Sequence, residues 1–209
     1  MRIAVCGTKG GSGKSTLAGL LALCFADANK YVETLDRDPQ ATLSTWLRGL
    51  GGTDGSLTPT PNEKEPYGRT TLGNHSSTSA TSPKIVIADF PPASPDALLK
   101  MLNEKSGFTW DVLLVPCRPA LADIWSIRSF LEKLDGYKGK VRLVMNALDN
   151  SSISKAGSLQ TLLKGIKTPL TKATLSRRAC YSYAMAGGWP ALDEKAKSEV
   201  LSLALELSR

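Results

Sequence analysis

Residues 9–16 read Lys-Gly-Gly-Ser-Gly-Lys-Ser-Thr. Gly10, Gly11 and Gly13 carry no Cβ, so the main-chain N–H groups of such a run, Ser12 among them, can wrap closely around a phosphate. Lys14 then reaches the β- and γ-phosphates of a nucleotide, and the hydroxyl of Ser15, followed by Thr16, is placed to ligate Mg²⁺. The usual phosphate-loop pattern is G-x-x-x-x-G-K-[ST]. Counting back from Lys14, Gly13 supplies the second glycine, but Thr8 stands where the first belongs and Gly7 comes one residue too early. A second lysine, Lys9, stands at the front edge of the loop, where phosphate binding as such does not require one.

Three aspartates add acidic chemistry. Asp89 closes the apolar run 84–89, where an uncompensated charge is costly, which points to a role at Mg²⁺ through water. Asp36 and Asp38 bracket Arg37 just before a Pro39–Gln40 turn. Two or three oriented oxygens without a strong base predict slow hydrolysis, suited to a switch. The single histidine, His75, lies in a Ser/Thr-rich stretch, and Cys6, Cys24, Cys117 and Cys180 are scattered without a CxxC pair. These features argue against His-based catalysis and His/Cys metal sites. Buried free thiols in a reducing cytoplasm are expected.

The elements that must hold these residues alternate between strand and helix. Strand runs are expected at 2–6, 31–35, 84–89, 110–116 and 140–146, the later ones continuously apolar as in central parallel strands. Helical spacing is read at 15–28, 41–50, 122–135 and 193–209, with a further helix start near Arg177 and Arg178. This alternation predicts an α/β fold, a mostly parallel sheet covered by helices on both faces. The length of 209 residues suits one such domain. Residues 51–83, rich in Gly, Ser, Thr and Pro, read as a long, partly disordered surface excursion with room for a short helical piece.

The net charge of +7 is unevenly spread. Residues 151–192 hold Lys155, Lys164, Lys167, Lys172, Arg177 and Arg178 and no acidic residue. No apolar run approaches the roughly 18 residues of a membrane span, and the start lacks the cleavage signature of a signal peptide. A cytoplasmic location is expected.

The run from Lys9 to Thr16 resembles the deviant Walker A motif, KGGxGK[ST], of the ParA/MinD group of P-loop ATPases. Asp36-Arg37-Asp38-Pro39-Gln40 resembles that family's D-x-D-P-Q switch segment. Asp89-Phe90-Pro91-Pro92 resembles its Walker B and second switch, and residues 116–123 resemble its proline-containing loop. The stretch from Asp38 through Trp46 is especially similar to the small plasmid-partition members. The resemblance implies a P-loop NTPase fold, ATP and Mg²⁺ as ligands, and a nucleotide-sandwich homodimer. Within such a dimer Lys9 is the lysine that reaches the partner's phosphates, doing what an arginine finger does. The resemblance further implies that Asp38 orients the attacking water and that Asp89 serves Mg²⁺, with Asp36 either in the Mg²⁺ shell or holding the loop. Residues 146–149, Asn-Ala-Leu-Asp, echo the guanine reader N-K-x-D, but Ala147 replaces its lysine. The family favours adenine, with Asn146 and the Pro116–Pro119 loop lining the base pocket.

Two functions then compete. A ParA-type partition ATPase binds nucleoid DNA non-specifically as its ATP dimer, and a small cargo-linked, ParB-like DNA-binding partner stimulates hydrolysis. Lys164, Lys167, Lys172, Arg177 and Arg178 fall where the family presents its DNA surface, and phosphate contacts there would be sequence-independent. A MinD-like membrane-cycling switch needs a basic amphipathic C-terminal helix. The final helix mixes Glu194, Glu199 and Glu206 with its lysines, so stable membrane association is not expected. Metal-cluster work would need paired cysteines. Because the first strand opens the chain, no N-terminal helix-turn-helix and no operator binding are expected.

Overall fold

The apolar run Arg2–Val5 forms strand β1 at the centre of the sheet in a computed structural model that describes residues 1–54, 67–73, 85–103, 109–135, 137, 139–149 and 163–209. The chain continues through α1 (Lys14–Asp27), β2 (Val32–Asp36), α2 (Thr42–Gly49), β3 (Thr53–Asp54), β4 (Gly68–Leu72), β5 (Ile85–Asp89) and α3 (Pro95–Asn103). It ends with β6 (Val112–Cys117), α4 (Leu121–Lys133), β7 (Lys140–Met145), α5 (Cys180–Gly187), a 3-10 turn (Trp189–Ala191) and α6 (Glu194–Leu207). The sheet order is β3-β4-β2-β5-β1-β6-β7, with the five strands from β2 to β7 parallel.

Side chains of β1 alternate between two cores because successive residues of a strand face opposite ways. Ile3 and Val5 join the core built with α1, α2, α5 and α6, whereas Ala4 and Cys6 join Leu98, Ile124, Ile127 and Phe130 of α3 and α4. Helix α1 is buried along nearly its whole length, between the sheet and α6, which explains its apolar character all round. Gly19 in α1 is a close-approach position: a Cβ there would lie 1.9 Å from the Trp46 ring of α2. The Trp46 indole N–H donates to the Ala184 carbonyl at 3.0 Å, which joins α2 to α5.

Within the expected excursion at 51–83, residues 53–54 and 68–72 are strands of the sheet, β3 and β4. Gly68–Leu72 pairs antiparallel with all of β2, from Asp36↔Gly68 to Val32↔Leu72, and Thr53–Asp54 adds an outer strand. Thr70 and Thr71 are buried; the Thr34 hydroxyl donates to the Thr70 carbonyl at 3.1 Å, and the Thr53 and Thr71 hydroxyls share a 2.7 Å bond. A strand buried through β-branched polar residues leaves no apolar run to read. Among the described residues of this stretch there is no helical piece; residues 55–66 and 74–84, including His75, lie outside the described residues. Helix α3 is an element the periodicity reading did not identify. Among the described residues, no helix is long and apolar enough to cross a membrane.

Candidate functional site

Parallel pairing brings the carboxyl ends of β1, β2, β5, β6 and β7 to one edge of the sheet. Val5 pairs with Asp89, and Asp89 pairs with Asp36, so both aspartates flank the loop that leaves β1. In open α/β sheets ligands collect in the crevice outside such strand ends.

The glycine loop turns through left-handed backbone at Gly11 (φ 70°) and Gly13 (φ 91°), conformations that favour glycine. At Gly13 there is a second constraint: a Cβ would sit 2.2 Å from the Asn146 side-chain nitrogen. That Asn146 Nδ2 donates to the Ser12 carbonyl at 2.8 Å, and its Oδ1 accepts from the Ala147 N–H at 2.8 Å. The sequence reading places Asn146 in a base pocket; in the structure its amide braces the main chain of the phosphate loop. Pro116 is buried inside β6 opposite Val144, at the start of the segment that the sequence reading sets beside the base. Helix α1 starts at Lys14 with no acidic residue in its first turn, so the N–H groups around Ser15 and Thr16 face the loop without a competing carboxylate.

Lys14 is only 6% exposed, and its ammonium donates to the Lys9 carbonyl at 3.0 Å. The Ser12 hydroxyl donates to the same carbonyl at 3.3 Å. Burial lowers the Lys14 pKa, against the pull of Asp89, Asp38 and Cys6. Asp89 is 1% exposed, and neither carboxylate oxygen has a hydrogen-bond partner of ordinary geometry. Burial pushes its pKa up to about 7; the nearby Ser15 hydroxyl and Lys14 oppose the rise, while Asp36 and Asp38 add to it. A buried carboxylate short of partners, beside a serine hydroxyl, fits Mg²⁺, which commonly takes one or two carboxylates plus phosphates and water.

Asp36 is different. One oxygen accepts from the Asp38 N–H at 3.1 Å, and the other accepts from the Ser44 N–H at 2.9 Å and the Ser44 hydroxyl at 3.3 Å. Burial raises its pKa, and these bonds oppose the rise. Of the two roles open to Asp36, these bonds fit holding the loop: they tie the switch segment to the first turn of α2. Asp38 is partly exposed in that segment and accepts from the Gln40 N–H at 3.0 Å. Its charge is felt at both Lys14 and Asp89. The Arg37 guanidinium lies 5.5 Å from the Phe90 ring centre, and the Arg37 main-chain N–H donates to the Asp89 carbonyl at 2.8 Å, which binds the two acidic segments together.

Lys9 forms an ion pair with Asp123 in the first turn of α4. Thr8 donates its hydroxyl to the Ser126 carbonyl at 2.9 Å. Arg118 reaches the loop as well, with one guanidinium nitrogen 3.7 Å from where a Cβ on Gly11 would stand. Sequence reasoning assigned no role to Asp123 or Arg118, although both fall in the segment that it set apart beyond β6.

Of the basic residues, Lys164, Lys167, Lys172 and Arg177 are exposed. Arg178 is only partly exposed. Its guanidinium donates to Glu199 at 2.6 Å, in a cluster where Glu199 also accepts from the Tyr181 hydroxyl at 2.6 Å and from the Ser176 hydroxyl and N–H at 2.7 and 2.9 Å. Its charge is engaged within the fold. The main-chain N–H of Lys172 donates to Glu206, which leaves the Lys172 ammonium outside that contact. Lys155 lies outside the described residues.

Residues 3–189 match the family described as the CobQ/CobB/MinD/ParA nucleotide binding domain. No curated protein sequence is significantly similar to this chain. Solved structures share the fold at low identity. The MinD cell division protein of Aquifex aeolicus aligns with a TM-score of 0.70 and 18% identity, over 99% of this chain and 96% of its own. MinD from Pyrococcus horikoshii, complexed with Mg-ADP, gives 0.68 and 16% over 100% and 96%. A putative plasmid partition protein of Borrelia burgdorferi, bound to AMPPNP, gives 0.62 and 19% over 99% and 97%.

Proposed function

Because the chain belongs to the CobQ/CobB/MinD/ParA family of nucleotide-binding ATPases, we propose that it is a partition or positioning ATPase of ParA type. It binds ATP at the loop from Lys9 to Thr16 and hydrolyses it slowly. The observation that carries this reading is that the buried Lys14 at the end of the glycine loop and the buried Asp89 at the end of β5 feel each other's charge beside the Ser15 hydroxyl. Lys14 compensates the β- and γ-phosphates, the loop N–H groups cradle them, and Asp38 orients water for attack. Ser15 and Asp89 would hold Mg²⁺, which supplies charge neutralisation at the β- and γ-oxygens.

ATP joins two copies face to face, each supplying Lys9 to the other's phosphates. The dimer binds DNA without sequence preference through Lys164, Lys167, Lys172 and Arg177, and a ParB-like partner carried by the cargo stimulates hydrolysis and release. The protein then works in the cytoplasm, on the nucleoid. A MinD-like membrane cycle is the second reading, favoured by Leu201 and Leu205, exposed on α6.

Incubation with Mg-ATP should produce binding to random-sequence duplex that weakens steeply with salt, because each phosphate contact contributes about −0.9 to the log–log slope. Arg177→Glu should flatten that slope while ATP-dependent dimerisation persists, and Lys14→Ala should abolish nucleotide binding. ATP-loaded protein that ignored duplex at low salt but sedimented with anionic vesicles would replace this reading with the membrane one.

A further inference from the structure

Arg118 stands beside the front of the phosphate loop with its charge uncommitted. It follows the buried Cys117 at the end of β6 and is itself exposed. One of its guanidinium nitrogens comes within 3.7 Å of where a Cβ on Gly11 would stand. Among the described residues no carboxylate pairs with this guanidinium. The other cations near the loop are engaged: Lys9 pairs with Asp123, Lys14 donates to the Lys9 carbonyl, and Arg37 lies against the Phe90 ring.

The arm is stiff at its base. Pro119 follows it and disfavours helical backbone at Arg118. The Arg118 carbonyl accepts from the Ala120 N–H at 2.8 Å, and α4 begins at the next residue, Leu121. The two limbs of the loop have different neighbours. A Cβ on Gly10 would lie 4.0 Å from Pro92, beyond β5, whereas Gly13 is closed by Asn146, beyond β7. The helix start at Lys14 gathers the α- and β-phosphates. The limb at Gly10 and Gly11, between Pro92 and Arg118, therefore meets the end of the phosphate chain. A guanidinium placed there offers phosphate oxygens two parallel N–H donors.

We propose that Arg118 holds the terminal phosphate of ATP bound to its own chain, and so makes the loop discriminate triphosphate from diphosphate. This rests on the ATPase reading above. Mg-ATP stays anionic after its metal is counted, and Asp36, Asp38 and Asp89 bring further carboxylates to the same strand ends. Lys14 alone does not balance them. A second cation from the same chain offsets the excess at the terminal phosphate, which carries the largest share of the nucleotide's charge. A diphosphate ends short of Gly11 and leaves the guanidinium without its partner.

Calorimetric titration with Mg-AMPPNP and with Mg-ADP tests this, at protein concentrations where sedimentation shows only monomer. Arg118→Ala should weaken AMPPNP binding about tenfold or more and ADP binding by under about threefold, because the charge-assisted fork is lost only for the triphosphate. Arg118→Lys should recover part of the loss, since an ammonium keeps the charge without the fork. In wild type, phenylglyoxal should modify Arg118 several-fold more slowly with AMPPNP bound than with ADP bound, read by peptide mass spectrometry. That measurement requires no variant to fold. Equal losses for both nucleotides, unchanged affinity for both, or equal protection by both would overturn the proposal. A loss confined to concentrations where the protein dimerises would also overturn it, because Arg118 would then serve the facing copy. Wild-type protein that bound neither nucleotide would overturn the ATPase reading itself, whereas binding of both with no change in the variants would overturn the role of Arg118 alone.

Discussion

Replacing Arg178 by alanine should destabilise the protein and leave DNA affinity nearly unchanged, the reverse of what its place in a basic run suggests. The Arg178 and Glu199 side chains are 22% and 19% exposed, at the junction of α5 and α6. Burial alone would raise the Glu199 pKa; the bonds from Arg178, Tyr181 and Ser176 outweigh it and pull the carboxyl down to about 2 from 4.5. That difference corresponds to about 3 kcal/mol of stability at neutral pH for the whole cluster. Arg178 supplies one charge-assisted bond of several, so its removal should cost about 2 kcal/mol. The sign with pH follows from the depressed folded pKa: the contribution is complete above about 4.5 and is lost as pH falls toward 2. Urea denaturation of wild type and Arg178→Ala should therefore differ by about 2 kcal/mol at pH 7 and by under about 1 kcal/mol near pH 2.5. If Arg178→Ala were as stable as wild type at pH 7 and lost duplex binding, the guanidinium would belong to the DNA surface and the argument from its internal pairing would fail.

Other perturbations read the phosphate site. Asp89→Asn should stabilise the nucleotide-free protein at pH 8 by about 4 kcal/mol, with the gain disappearing toward pH 4, because a carboxyl raised to about 7 by burial costs stability as pH climbs from its unfolded value; thermal melts at the two pH values test this, and the same variant should lose Mg²⁺-dependent turnover. Gly13→Ala should destabilise the fold by more than about 1 kcal/mol and weaken nucleotide binding, since the new methyl meets Asn146 in a left-handed backbone; denaturation and nucleotide titration read the two effects separately. Asp38→Ala should bind ATP nearly as wild type but hydrolyse it at least tenfold more slowly, measured as phosphate release in single turnover.

The loop from Lys9 to Thr16 was legible because its requirements are local: glycine where the backbone turns left-handed, and a lysine and serine at the helix start. Long apolar strands were legible for the same reason, since burial on both faces leaves one continuous signal. Gly68–Leu72 was not, because its burial rests on the methyl groups and hydroxyls of Thr70 and Thr71, which look polar in sequence. Arg178 read as part of a free basic patch because its partner Glu199 lies 21 residues away on another helix. In sequence Asp36 stands between two roles, the Mg²⁺ shell and holding the loop, while Asp38 is read as orienting water. The two roles of Asp36 separate only when α2 returns the Ser44 N–H to it.

The charges at the strand ends explain why this arrangement is maintained at a cost to stability. Lys14 and Asp89 carry opposite charges in the same crevice, and each feels the other, yet the group beside Asp89 is the neutral Ser15 hydroxyl, short of ordinary hydrogen-bond geometry, and Lys14 donates to a neutral carbonyl. Burial disfavours the charged form of both groups. A site built for stability alone would close the two into an ion pair or replace them by apolar residues, which is often neutral or favourable. Holding them apart keeps a cation free for an anion and an anion free for a cation. Mg-ATP is a ligand with both. Asp36, whose oxygens are satisfied by Ser44 and the Asp38 N–H, shows that this fold can complete a buried carboxylate at the adjoining strand end. The incomplete partnering of Asp89 is therefore a property of its site, and a ligand supplying both charges relieves two burial penalties at once. Occupancy of this loop should consequently stabilise the fold by more than the phosphate contacts alone would contribute.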